Sequence, residues 1–212
     1  MGSAPEIIVT ATGFLLIAVY HIHFIHKVRT VPLSTSLGLT NHLRRHWVET
    51  IMKEKRDILA VQTLRNWIMA SSLLASTAIL IGLGITTVAF KPGEIVHLSH
   101  HLDLFGAKSP TLWLVNLMVL MIDFFFAFFN FTLSIRYYSH ASLAINVPAS
   151  EDPLVTYDGV AAIISRGAIH YTLGMRGYYL AVPLTLWLFG PTWLLAGSFI
   201  MTLILYKLDR TA

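Results

Sequence analysis

Long apolar stretches separated by polar segments dominate the sequence. Four of these stretches cover residues 7–25, 67–90, 112–135 and 178–206. Each is near or above the roughly 20 residues that a helix needs to cross about 30 Å of hydrocarbon. The pattern predicts an all-α integral membrane helical bundle with four transmembrane helices, built as a single membrane domain over residues 1–212.

The fourth stretch contains Gly190 and Pro191 near its middle. Proline has no backbone N–H, and its ring clashes with the carbonyl group four residues earlier, here that of Trp187. We therefore expect a fourth span that is kinked at Gly190-Pro191. A re-entrant hairpin is the alternative, and it would bring Lys207 and Arg210 to the cytoplasmic side.

Two helices outside the spans are also expected. From Asn41, a suitable N-cap, apolar residues recur at helical spacing among basic ones to about residue 56. A similar pattern covers residues 158–173. Basic amphipathic helices beside a membrane lie at its interface, so both are predicted to be cytoplasmic interfacial helices. Asp57 then begins the helix that becomes the second span.

Composition supports a membrane protein, and the distribution of charge predicts its orientation in the membrane. The chain is 55% hydrophobic and 12% charged, whereas a soluble domain is about a quarter charged. Most Lys and Arg residues lie in the first and third loops, which predicts that these loops are cytoplasmic and that the N-terminus is non-cytoplasmic. We expect a multi-pass protein of the cell (inner or plasma) membrane. Its partners would be the lipid bilayer and either further copies, as a homo-oligomer, or a larger membrane complex.

Two classes of partner and cofactor are disfavoured. The pI near 9.4 does not indicate nucleic acid, because the basic residues form no aromatic-studded patch. The chain has no cysteine, which excludes thiolate metal sites and an iron-sulfur cluster.

A polar seam runs through the third stretch. Asn116, Asp123 and Asn130 are spaced by seven residues, so they share one stripe of a helix. An Asp at the centre of a membrane helix costs about 2.5 to 3.5 kcal/mol and should face protein or water. From its distance to the predicted outer end, Asp123 should lie at the depth of Thr77 and of the break in the fourth stretch. The seam is either a pathway for a small solute or ion or a set of interhelical hydrogen bonds.

Histidine gives a second set of candidate residues. A metal or haem could be bound by a subset of five histidines: His21, His140, His170, His42 and His46. The last two share a helix face at i, i+4 spacing, although the sequence has no HExxH motif. A separate group, HLSHH, lies in the second loop.

Three arginines of the cytoplasmic side are candidate anion or headgroup ligands: Arg136, Arg166 and Arg176. The first two each precede a histidine by four residues, so each pair places a permanent cation and a titratable ring on one helix face. Lipid phosphate, haem propionates or an anionic substrate would suit such a face.

Three strings carry a resemblance to a known family: DILAVQTLRNWIMASSLLASTAIL, FFNFTLSIRYYSHASLAINVP and HYTLGMRGYYLAVPLTLWLFGP. The chain resembles, from about residue 21 to 206, a family of bacterial and plant membrane proteins catalogued as domain of unknown function 599. The resemblance implies a four-span membrane protein, and it lends no catalytic residues.

The sequence therefore leaves three functions open. The first is a non-catalytic protein with a polar pathway for a small solute or ion, centred on Asp123. The second is a metal- or haem-binding subunit of a membrane redox complex, and the third is a structural accessory subunit. An enzyme is disfavoured, since the chain has no nucleophile motif, phosphate loop or paired carboxylates.

Overall fold

Six α-helices make up nearly all of the structure. The computed structural model describes residues 4–91, 110–147 and 155–210, and within these ranges the chain forms helices and no strand. The helices are α1 (Ala4–Thr30), α2 (Ser36–Lys53), α3 (Asp57–Ala89), α4 (Pro110–Ala144), α5 (Tyr157–Trp187) and α6 (Pro191–Leu208). Of these, α1, α3, α4 and α6 are long and apolar enough to cross a membrane. The predicted all-α membrane bundle is confirmed, and four of its helices have the length and composition of membrane spans.

Helix α4 is the centre of the bundle, and α3 packs antiparallel along one side of it. Small side chains line this contact. Ser71 and Ser134 are fully buried with their hydroxyls 3.4 Å apart, and Gly82 lies against Phe124. Within a bilayer, close backbone approach replaces the hydrophobic effect as the main source of helix association. The small residues of α3 therefore allow its backbone to approach α4 closely.

Helix α5 packs antiparallel along a second face of α4, close enough to α3 for Tyr178 to donate to the Leu74 carbonyl, and glycines make the α4–α5 contact possible. A Cβ at Gly167 would stand 2.8 Å from the ring of Tyr138, and one at Gly174 would stand 2.8 Å from the ring of Phe131. Neither position has room for a side chain while the two helices keep their separation. The seven-residue spacing of the two glycines thus fits two successive aromatic rings of α4.

The predicted break at Gly190 is present, but the chain reverses there. Gly190 has φ 146°, a conformation that favours glycine. Beyond it, a Cβ at Gly197 would stand 3.2 Å from Cα of Pro183, and Arg176 pairs with Asp209, 33 residues later. The single kinked span over residues 178–206 is therefore wrong, and α5 and α6 form an antiparallel hairpin, which was the alternative.

The prediction of a separate interfacial helix over residues 158–173 is also wrong. That segment is the first half of α5, which begins at Tyr157. Thr156 is the N-cap, and its hydroxyl accepts a hydrogen bond from Gly159 N at 3.0 Å. Val160 and Ile164 are buried against α4 and do not lie on a membrane surface. Charged residues made the segment resemble a surface helix, although its apolar face packs inside the bundle.

Helix α2 begins earlier than expected. Thr35 is its N-cap and accepts from Gly38 N at 3.2 Å, so Asn41 lies inside the helix. Its second half docks on the bundle through two buried residues, Val48 and Ile51. As predicted, Asp57 begins the following helix. Helix α2 therefore covers one end of the bundle.

The two ends of the bundle differ in charge. At one end, the turn end, lie the start of α1 and the α5–α6 turn, and Lys91 follows α3 there. At the other, the basic end, lie α2 and the C-terminal residues, where Ser36 N donates to Asp209 O at 3.1 Å. The other described Lys and Arg residues lie toward this basic end. Lys108 lies outside the described residues.

An exposed ion pair illustrates the surface of α2 at the basic end. Lys53 Nζ lies 2.6 Å from Glu49 Oε1, one turn away. The ammonium group of Lys53 holds the pKa of the Glu49 carboxyl below its usual value, and the carboxylate in turn raises the pKa of Lys53. Both groups therefore stay charged at neutral pH and keep this face of α2 in solvent.

Candidate functional site

The polar seam of α4 faces α5. Asn116 Nδ2 donates to the carbonyl of Trp187 at 3.3 Å. Two turns further along α4, Asp123 Oδ1 lies 3.5 Å from where a Gly177 Cβ would stand. Because Gly177 has no side chain, it leaves space beside the carboxylate. Asp123 therefore occupies a gap in an otherwise close helix contact.

Asn130, the seam residue nearest the basic end, has hydrogen-bond partners for both its amide nitrogen and its amide oxygen. Asn130 Nδ2 donates to the carbonyl of Phe126 at 2.9 Å, which leaves Oδ1 as an acceptor. His170 Nδ1 donates to that oxygen at 3.0 Å, and its ring stacks on Tyr137 with centroids 5.4 Å apart. Asn130 therefore links α4 to α5, as the interhelical hydrogen-bond interpretation expects.

The depth assigned to Asp123 from the sequence was wrong for the break before Pro191. The break before Pro191 lies beside Asn116, with which Pro191 lines one cavity, about two turns from Asp123. Thr77 is exposed on α3 and donates to the carbonyl of Leu73 in its own helix. Neither Thr77 nor Pro191 lines the cavity of Asp123, and the break lies away from it because α5 and α6 form a hairpin instead of one span.

Three cavities lie in sequence along α1, the first two against α4 and α5 and the third against α2 and α5. They have volumes of about 270, 300 and 210 Å³. From the turn end to the basic end, α1 contributes Thr10 to the first, Ile17 to the second and His21 to the third. These positions fall on one face of α1, whose main packing contact is α6. We call this series of cavities the α1 groove.

Each cavity of the α1 groove is lined by a residue with a buried polar side-chain atom that has no hydrogen-bond partner among the described protein atoms. The atoms are Asn116 Oδ1 for the first cavity, Asp123 Oδ2 for the second, and His21 Nε2 and Arg176 Nη1 for the third. In the described part of the chain only one other such side-chain atom occurs, Ser198 Oγ. Buried polar groups are nearly always paired, so their alignment along one groove calls for an explanation.

The tautomer of His21 follows from its own hydrogen bond. Its Nδ1 lies 2.8 Å from the carbonyl of Ile17. A carbonyl only accepts, so Nδ1 carries the proton and Nε2 of the neutral ring bears a lone pair. His21 can therefore accept a proton at Nε2 and release one without changing its contact with Ile17.

A buried ion pair closes the basic end of the groove. Arg176 Nη2 lies 2.7 Å from Asp209 Oδ2, with side chains 9% and 19% exposed. The Tyr20 hydroxyl donates to the same oxygen, and the guanidinium lies 4.0 Å over the ring of Phe24. The pair joins α1, α5 and the end of α6. Sequence reasoning missed Asp209, although it is the only acidic residue after Asp158.

The predicted anion ligands occupy different surroundings. Arg136 and Arg166 are exposed on α4 and α5. Arg176 is buried and already has Asp209 as its counter-ion. Arg136 and Arg166 remain candidates for contact with lipid headgroups, while Arg176 lines the third cavity of the α1 groove.

The predicted metal or haem ligands are not gathered. His42 and His46 are exposed on α2 with ring centroids 4.6 Å apart, and His140 is exposed on α4. His21 lines the α1 groove, whereas His170 contacts Asn130. Across residues 4–91, 110–147 and 155–210, no three His, Cys, Asp or Glu side chains are placed to hold a metal ion. The HLSHH segment lies outside these ranges.

An all-helical bundle with four apolar membrane-length helices and a polar groove defines this chain as a multi-spanning membrane protein. A family model described as "Protein of unknown function, DUF599" matches residues 8–212. The chain belongs to that family, and the resemblance drawn from its three strings is confirmed. Neither a curated protein nor a solved structure matches the chain.

Proposed function

We propose that the α1 groove is a transbilayer route for protons and that the protein acts as a non-catalytic pathway. One observation carries this proposal: the residues that line three consecutive cavities carry all but one of the unpaired buried polar side-chain atoms of the described residues. Interhelical hydrogen bonding accounts for Asn130, whose amide nitrogen and oxygen both have partners. It does not account for Asp123 and His21, each of which lines a cavity and has a buried atom without a partner.

Protons suit the groove better than metal cations do. Asp123 and His21 both exchange protons, and His21 lies about one helical turn, or roughly 6 Å, beyond Ile17 of the Asp123 cavity. A water molecule occupies about 30 Å³, so each cavity has room for several waters to relay a proton. Among the described residues no three His, Cys, Asp or Glu side chains are placed to hold a metal ion, whereas a proton needs only one exchangeable group at each step.

The ion pair between Arg176 and Asp209 would control the basic mouth of this route. It is buried, it lies at the end of the third cavity, and Tyr20 of α1 is bonded to it. Separation of the two charges would open the groove toward α2. In this scheme the pair is a gate, and the exposed Arg136 and Arg166 form a basic rim.

The charge difference between the bundle ends supports a cytoplasmic basic end. Lys and Arg residues accumulate on the cytoplasmic side of membrane proteins. The N-terminus would then be non-cytoplasmic, and the C-terminus, beside α2, would be cytoplasmic. Assembly into a homo-oligomer or a larger complex stays a prediction.

The test is proton uptake by liposomes that contain the purified protein and a pH-sensitive dye. A potassium diffusion potential drives the protons. Asp123→Asn keeps the size of the side chain but cannot exchange a proton, so we expect uptake to fall at least about tenfold, a lower bound to the roughly 10²- to 10⁴-fold that a positioned proton-transfer group contributes in enzymes. Thr77→Val, on the exposed side of α3, should not change it.

A matched histidine pair tests the second group. His21→Gln should slow proton uptake, whereas His23→Gln, two residues along α1 and exposed, should leave it unchanged. Unchanged uptake in both Asp123→Asn and His21→Gln, with circular dichroism and monodispersity as in the unmodified protein, would contradict the proposal.

A further inference from the structure

A fourth and larger cavity, of about 490 Å³, lies beneath α2 at the basic end. Binding pockets for small organic molecules are typically about 300 to 1,000 Å³, so its size is that of a ligand site. Helix α2 contributes Thr40, Leu43, Arg44 and Trp47 to it, and these follow the i, i+3, i+4, i+7 spacing of one helix face. The cavity is thus roofed by one side of α2.

Aromatic rings form its wall. Trp47 of α2 lies next to Trp67 of α3 with ring centroids 5.8 Å apart, and Trp67 lies next to Tyr138 of α4 at 5.3 Å. Tyr171 of α5 also lines the space. Trp and Tyr are enriched where a membrane protein crosses the bilayer surface. The wall therefore has the composition expected at the level of lipid headgroups.

One cation lines this cavity. Arg44 is partly buried, and its Nη1 donates to Asn41 Oδ1. No described carboxylate pairs with it, and burial lowers the pKa of its guanidinium. Its neighbour Arg45 differs: it is exposed, and its Nε lies 2.8 Å from Asp158 Oδ1. A partly buried cation without a counter-ion favours an anionic ligand, since pairing offsets part of the cost of desolvation.

We propose that this cavity binds an anionic phospholipid. The phosphate would accept hydrogen bonds from Arg44, and an acyl chain would lie along Leu43, Trp47 and Trp67. The apolar lining, the aromatic wall and the single cation match an amphiphile with one charged end. The proposal does not depend on the proton route, although Thr172 lines both this cavity and the third cavity of the α1 groove.

The test is a lipid titration of the delipidated full-length protein in detergent, followed by native mass spectrometry. Phosphatidylglycerol and phosphatidylcholine with the same acyl chains are compared, with inorganic phosphate as a competitor. We expect phosphatidylglycerol to bind at least about tenfold more tightly than phosphatidylcholine, because both lipids offer a phosphate but the choline ammonium group places a second positive charge near Arg44. Inorganic phosphate should not displace it.

Three variants assign the binding to the cavity. Arg44→Leu should remove the preference for phosphatidylglycerol, Arg44→Lys should keep part of it, and Arg45→Leu should keep all of it. Ala70→Phe fills the cavity without touching Arg44 and should weaken binding of the lipid, which guards against a folding defect in Arg44→Leu. Equal affinity for the two lipids, an unchanged preference in Arg44→Leu, or displacement by inorganic phosphate would overturn the proposal.

Discussion

Arg176 and Arg45 each form an ion pair with an aspartate, but the first pair is buried and the second is exposed. The side chains of Arg176 and Asp209 are 9% and 19% exposed, whereas those of Arg45 and Asp158 are 64% and 67% exposed. Loss of one partner from a buried pair leaves an uncompensated charge in an apolar environment. An exposed charge that loses its partner is simply hydrated.

We therefore expect Asp209→Asn to lower the free energy of unfolding by about 3 kcal/mol, the cost typical of a broken buried pair. Asp158→Asn should change it by less than about 1 kcal/mol. Thermal unfolding in detergent, followed by circular dichroism, measures both. Equal effects of the two substitutions would show that Arg176 does not depend on Asp209.

Single residues were predictable from sequence only where their partners were near in the chain or on one helix. The spacing of Asn116, Asp123 and Asn130 predicted that they share a face of α4, and all three lie toward α5. The partnership of Arg176 and Asp209 could not be predicted, because the residues lie 33 positions apart across a chain reversal.

At the level of helices, glycine decides how closely α4 and α5 approach. A Cβ at Gly174 would stand 2.8 Å from the Phe131 ring, so a side chain there requires either the ring or the helix to move. Gly84 of α3 provides the contrast, because a Cβ there would have no neighbour within 4 Å. Substitutions at Gly174 and Gly84 therefore distinguish the cost of crowding between helices from the effect of glycine on helix formation.

Gly174→Ala should lower the stability by about 1 to 3 kcal/mol, as expected for an overpacked contact. Gly84→Ala should leave it unchanged or raise it slightly, since alanine favours a helix more than glycine does. Chemical unfolding in mixed micelles compares them. If Gly174→Ala left the free energy of unfolding unchanged, the α4–α5 contact would accommodate the extra methyl group without loss of stability.

The sequence predicted where helices lie along the chain better than it predicted whether successive helices continue or reverse direction. Gly190 and Pro191 indicate a break, because proline removes a backbone donor. A reversal depends in addition on the positive φ of Gly190 and on the packing of Gly197 against Pro183, neither of which the local pattern contains. The same limitation applies to residues 158–173, whose charged positions concealed their continuity with α5.

In the whole molecule, the reversal places the two termini at opposite ends of the bundle. Helices α1, α3, α4, α5 and α6 run between the turn end and the basic end, and α2 covers the basic end. A single kinked fourth span would have placed both termini on the same side. The positions of the termini therefore distinguish the two architectures.

Reporter fusions test this arrangement. We expect a C-terminal green fluorescent protein to fold and fluoresce in the cytoplasm, and an N-terminal alkaline phosphatase to be active outside it, because the basic end should face the cytoplasm. Both termini on one side of the membrane would contradict the hairpin of α5 and α6.

The central claim is that water and protons pass along the α1 groove, and cysteine accessibility tests it most directly. The chain has no native cysteine, so a single introduced thiol is the only site of reaction. Thiols react as thiolates, which form where water reaches them. Ile17 lines the Asp123 cavity, whereas Val19 is 56% exposed on the outer side of α1. In liposomes, Ile17→Cys should react with a charged, water-soluble thiol reagent and Val19→Cys should not; an unreactive Ile17→Cys in folded protein would contradict the account.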